Sequence, residues 1–160
     1  MKEKKISISL TVYDSVNELP PKAQALMKKA VIARENAYAP YSKFNVGAAL
    51  RLENNEIVIG NNQENAAYPS GLCAERVAIY SAGARFPNMP ITSMALTASS
   101  QKYELTIPTP PCGACRQAIA EYENRQKTPI EIYFMGKSGK VVKANSIESL
   151  LPLIFDSTFL

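Results

Sequence analysis

Apolar and polar residues alternate from Ile6 to Val12, with Ile6, Ile8, Leu10 and Val12 on one side, the period of a half-buried strand. Pro20 and Pro21 suit the first turn of a helix. Ala23, Leu26, Met27, Ala30 and Ala37 follow at helical spacing, predicting a helix that ends near Asn36, before a loop containing Pro40. Val46 to Leu52 reads as a strand, Glu53 to Glu56 as a turn, and Ile57 to Gly60 as the return strand of a hairpin. Asn61 to Leu72 is a polar loop carrying Pro69 and Gly71, and Cys73 to Ala84 is helical in pattern, closed by Gly83 and Pro87. Ile91 to Ser99 is a buried-strand pattern. A proline-rich loop then leads to a helix from Cys112 to about Glu123. Ile130 to Met135 and Val141 to Lys143 are strands flanking a Gly-Lys-Ser-Gly turn. Asn145 is placed to cap a short helix that runs through Leu151 to Pro152.

This order of strands and helices predicts an α/β protein, a three-layer α/β/α sandwich with one mixed central sheet. No internal repeat or low-complexity linker interrupts it. A single domain over residues 1–160 is expected, with residues 1–15 as an N-terminal strand extension.

Composition narrows the class. Hydrophobic residues at 46% and charged residues at 20% exclude a disordered chain. Three cysteines, an odd number, exclude a disulfide-built mini-protein. No apolar run approaches the ~18 residues of a spanning helix, so no membrane association is expected. The Lys-rich start and the Ser/Thr alternation after it make a poor signal peptide, and a cytoplasmic location follows as the expectation. The net charge of +4 owes much to three lysines within the first five residues. No basic stripe is present, and no nucleic-acid partner is expected. Histidine is absent altogether. That removes Ser-His-Asp triads, Cys-His dyads and His-ligated metals, and leaves proton transfer to carboxylate, Lys, Tyr or Cys.

The cysteines carry the chemistry. Cys73 opens one predicted helix, and Cys112 and Cys115 open another. A helix start aims free N–H groups and partial positive charge at a sulfur, favouring its thiolate. The two-residue gap in Cys112-Gly113-Ala114-Cys115 puts both sulfurs on one helix face, and Cys73 adds a third ligand. Three protein ligands with an open fourth position are the pattern of a catalytic zinc. Competing readings are a redox pair, or small buried apolar side chains. Glu75 is placed to touch water at the metal. Three thiolates outweigh the charge of zinc, so something must withdraw charge from them. Arg76 is the candidate, together with the helix N-termini.

Cys73-Ala74-Glu75 followed by Pro111-Cys112-Gly113-Ala114-Cys115 resembles the zinc nucleoside and base deaminases. The cysteine version is similar to the small homotetrameric cytidine deaminases. Tyr41 to Ala49, Asn62 to Pro69, Pro111 to Gln117, and Leu150-Leu151-Pro152 with Phe155 resemble that family's motifs, so the likeness runs from about Ala23 to Phe155. Asn45 departs from the family's usual Pro, and Asp156-Ser157-Thr158 from its usual Gly-Pro run.

The resemblance implies zinc on Cys73, Cys112 and Cys115, and Glu75 as proton carrier. It implies Phe44 against the pyrimidine, Ala74 among the substrate-binding residues, and Asn62 and Glu64 on the ribose 3′-hydroxyl. Ala66, Tyr68 and Phe155 would reach the site of a neighbouring subunit in a homotetramer. The implied reaction is hydrolytic deamination of cytidine and 2′-deoxycytidine to uridine and 2′-deoxyuridine, a step of pyrimidine salvage. The alternatives are a deaminase of another small aminopyrimidine such as a blasticidin-type antibiotic, a polynucleotide deaminase, and a zinc-stabilised interaction module without catalysis. The Asn62-x-Glu64 loop favours a nucleoside. The absence of His and of a basic stripe disfavours a polynucleotide, and Glu75 beside an open metal position disfavours the module.

Overall fold

The computed structural model describes residues 1–160. In chain order the elements are β1 (Thr11–Tyr13), α1 (Pro21–Glu35), β2 (Phe44–Leu52), β3 (Ile57–Asn61), α2 (Ala74–Arg85), β4 (Ile91–Ser100), α3 (Gly113–Gln126), β5 (Glu131–Met135) and β6 (Val141–Ala144). The six strands form one sheet in the order β1-β6-β5-β4-β2-β3. Only β4 and β5 pair in parallel, and α3 is the crossover between them. The other neighbours are antiparallel. The sheet is therefore mixed, as the sequence predicts.

Helices cover both faces. On one side α1 sets Leu26, Met27 and Ala30 against Ala49, Ala95, Tyr133 and Met135. On the other, Ala74, Ala78 and Ile79 of α2 and Ile119 and Ala120 of α3 pack on Ala48, Leu50, Leu96, Ile132 and Phe134. Strands covered on both faces lose the simple apolar–polar alternation, which is why β2 and β4 read as apolar runs. Two glycines let the helices approach. A Cβ at Gly47 would lie 2.1 Å from the Ala30 carbonyl oxygen of α1, and one at Gly60 would lie 2.5 Å from the Ala78 nitrogen of α2.

Three expectations change at the element level. The strand predicted from Ile6 is only β1, because β6 is four residues long and offers three paired positions, Thr11↔Lys143 to Tyr13↔Val141. Residues 1–10 have no regular secondary structure and are exposed. The short helix near Leu151 is a single 3-10 turn, Ile147–Ser149, and Ser146 rather than Asn145 caps it by accepting from the Glu148 N–H. Cys73 and Cys112 stand one residue outside their helices, in the capping positions of α2 and α3. No helix is long and apolar enough to cross a membrane.

Candidate active site

Topology decides where the cysteines meet. β3 and β4 are both antiparallel to β2, the strand between them, so they run in the same direction. Each is followed by a loop and a helix, α2 after β3 and α3 after β4. Both helices therefore start from the same end of the sheet, bringing Cys73 and Cys112 together. β2 begins at that end, where Phe44 pairs with Ser100, the last residue of β4.

The three sulfurs lie within 4.8 Å of one another. Cys73 Sγ is 3.8 Å from Cys112 Sγ, and Cys112 Sγ is 3.4 Å from Cys115 Sγ. None forms a disulfide. Tetrahedral zinc with bonds of about 2.3 Å places its sulfurs about 3.8 Å apart, so the donor set and its spacing fit zinc. The Cys115 thiol, and then Arg76, draw the Cys73 thiol down to about 5 against the effect of burial. Cys115 is pushed up, by Cys73 first and by burial second. The Arg76 guanidinium approaches Cys73 Sγ, with Nη2 at 3.7 Å, while its buried Nε has no hydrogen-bond partner.

Glu75 follows in the first turn of α2 and is only 5% exposed. Burial first, and the charge of Cys73 after it, raise its pKa to about 7. A carboxyl poised near neutrality, close enough to Cys115 for its charge to help raise that thiol, can both take and give a proton.

A cleft of about 490 Å³ opens beside the cluster, lined among others by Tyr41, Asn62, Glu64, Tyr68, Cys73 and Arg76. Asn62 accepts from the Val46 N–H at 2.7 Å and donates to the Phe44 carbonyl at 2.9 Å. It thereby pins the start of β2, and with it Phe44. Glu64 accepts from the N–H groups of Tyr41 at 2.9 Å and Ser42 at 3.2 Å, and from the Ser42 hydroxyl. Burial works against it, yet these hydrogen bonds hold the Glu64 carboxyl below its usual value.

The family model for the cytidine and deoxycytidylate deaminase zinc-binding region matches residues 20–130, which include all three cysteines and Glu75. The chain belongs to that family. It is 46% identical over 101 residues to a cytidine deaminase of Halalkalibacterium halodurans, covering 61% of this chain and 70% of that one. A cytidine deaminase of Sporosarcina psychrophila is 38% identical over 135 residues, 82% of this chain and 90% of its own. The crystal structure of a cytidine deaminase from Burkholderia pseudomallei superposes with a TM-score of 0.71 at 39% identity, covering 82% of this chain and 97% of that one.

Not every residue implied by resemblance to this deaminase family meets the cleft within the chain. Ala74 is buried at the start of α2. Ala66 is exposed on the rim loop; Tyr68 does line the cleft, but it is 75% exposed, its ring 6.0 Å from that of Tyr41. Phe155 is 59% exposed and stacks on Phe159 at 5.5 Å, away from the residues lining the cleft. The tail carrying it is held by Gln117, whose Nε2 donates to the Phe155 carbonyl at 2.8 Å.

Nothing in the sequence pattern alone gives Arg116 a role. Its Nε donates to the Pro111 carbonyl and its Nη1 to the Leu150 carbonyl, both at 2.8 Å. It ties the loop before Cys112 to the C-terminal segment. Its position directly after a cysteine ligand candidate was the available signal.

Proposed function

We propose that this chain hydrolyses cytidine and 2′-deoxycytidine to uridine and 2′-deoxyuridine with release of ammonia, a step of pyrimidine salvage in the cytoplasm. The observation that carries this reading is the convergence of Cys73, Cys112 and Cys115 at two helix starts with Glu75 buried beside them. The names of the relatives support the same reaction. Cys73, Cys112 and Cys115 would hold the zinc. When bound, it would supply Lewis acidity that brings the ionisation of water into the neutral range.

The remaining work belongs to side chains. Glu75 takes a proton from the attacking water and passes it to N3 of the pyrimidine as C4 gains the hydroxyl; it then takes that hydroxyl's remaining proton and gives it to the amino group, so that the C4 carbonyl forms as the C–N bond breaks and ammonia leaves. Arg76 draws charge from the Cys73 sulfur and limits how far three thiolates quench the metal. Phe44 packs on the base, and Ala74 belongs to the same substrate-binding set. Asn62 keeps one amide proton and one lone pair beyond its bonds to Phe44 and Val46, and Glu64 keeps about one lone pair. These groups meet the sugar hydroxyl. Ala66, Tyr68 and Phe155 serve a neighbouring subunit's site in a homotetramer, a reading that their exposure supports.

The test is uridine formation by the purified zinc-loaded protein, followed by the loss of absorbance on deamination. Turnover of cytidine and deoxycytidine is expected. Turnover of an aminopyrimidine antibiotic with neither nucleoside accepted would replace this reading.

A further inference from the structure

Outside the deaminase site, the largest unexplained feature is the arm formed by residues 1–10 and β1. It lies before the family-matched region, which begins at residue 20. Ile6, Ile8, Leu10 and Val12 are 39% to 56% exposed, an apolar row at strand spacing. Within the chain, Ile6 to Ser9 line an open cleft of about 440 Å³ together with Asn124, Pro152 and Ile154, and Ile6 and Ile8 stay about half exposed there. β1 is also the edge of the sheet, paired with β6 alone. Its outer backbone groups form a template for another strand.

We infer that the arm pairs antiparallel with the arm of a second copy of this chain, joining two sheets edge to edge about a two-fold axis at Ser9. Period-two alternation restricts the register, because a slip of one residue turns every side chain to the opposite face. Among registers that keep the apolar rows together, only the one centred on Ser9 gives all four apolar residues a partner. Ile6 then faces Val12, and Ile8 faces Leu10. The same register sets Lys4 opposite Asp14 of the second copy, an opposite-charge cross-strand pair at each end. A shift in one direction moves Lys4 onto Val12, and a shift in the other sets Ile6 against Asp14. Asp14 now pairs with Lys140 at 3.5 Å, but both side chains are well exposed. Such a pair holds weakly and exchanges readily. Charge and apolar pattern thus select the same self-complementary register.

Ser9→Cys tests the axis directly. Facing residues of antiparallel strands lie about 4.5–5.5 Å apart at Cα, within the range of a disulfide. Mild oxidation of the zinc-loaded variant should give a disulfide-linked dimer on a non-reducing gel. Ser7→Cys should not, because position 7 of each copy faces Thr11 of the other. Adding Lys4→Glu to Ser9→Cys should slow cross-linking severalfold, and adding Asp14→Lys to that chain should restore it. Absence of the Ser9→Cys dimer, equal cross-linking through residue 7, or no recovery in the charge-swapped chain would each overturn the pairing. The readout does not depend on deamination, so it stands or falls apart from the catalytic reading.

Discussion

Glu75 carries a proton that the unfolded chain would have released. Burial and the Cys73 charge lift its pKa from 4.5 to about 7. In the zinc-free protein the folded state therefore binds more protons than the unfolded state between those values, and stability falls as pH rises through that window. A shift of this size corresponds to about 3 kcal/mol. Cys73, with its lowered pKa, acts in the opposite sense and is present in both wild type and Glu75→Gln. Comparing urea midpoints of these two zinc-free proteins isolates Glu75. The variant should match wild type near pH 4 and gain about 3 kcal/mol over it by pH 8. A gap that does not change with pH would remove the burial argument. With zinc bound, Glu75→Gln should keep the metal and lose ~100- to 10,000-fold in turnover. Near-normal turnover would give the proton transfer to another group. Arg76 acts one bond further from the chemistry. Arg76→Gln should leave more negative charge on the sulfurs and shift the pH–rate profile upward. An unchanged profile would make its contact with Cys73 merely structural.

At the scale of elements, Glu123 holds three pieces of chain together. It lies on the buried stripe of α3 with Cys115, Ile119 and Ala120. Its carboxylate accepts from the Ile130 N–H at 2.7 Å, the Ile147 N–H at 3.2 Å and the Ser146 hydroxyl at 2.5 Å. Glu123→Ala strands donors in the interior and should cost about 3 kcal/mol. That would lower Tm by roughly 6–12 °C in a chain of this size, with zinc content unchanged in the surviving fold. A shift within error would mean that water replaces the carboxylate. Glu123 also shows what the sequence could and could not yield. Helix spacing locates α3 and puts Glu123 four residues after Ile119, on its inner face, but its partners are Ile130, just before β5, and Ser146 and Ile147, in the turn after β6, which only the closed fold brings together. Likewise the alternation at Ile6 to Val12 is visible, yet the length of β1 is set by β6. Residues acting through local geometry were readable: Cys73 and Cys112 at helix starts, Cys115 one turn on. The amide bonds from Asn62 to Phe44 and Val46, and those linking Arg116 to Leu150, depend on tertiary closure and were not.

At the scale of the molecule, the cleft is open on the side where Tyr68 is exposed, and Phe155 lies off its lining. A pocket that must exclude water around a base is incomplete with these rings in solvent. A neighbouring subunit supplying Phe155 would close it, since burying an aromatic side chain contributes a few kcal/mol. Phe155→Ala should then raise KM while zinc content stays intact. Mixed assemblies sharpen the argument. Glu75→Ala chains lack the proton carrier but keep Phe155, and Phe155→Ala chains have the reverse. If each site draws Glu75 from one chain and Phe155 from another, subunit exchange between the two variants rebuilds complete sites, and activity should rise above the sum of the parents. Light scattering should show a tetramer for both variants and for the mixture. A fully active monomer would refute shared sites. Confirmed exchange with no recovery would return Phe155 to its own chain, where Gln117 holds its carbonyl and Phe159 its ring.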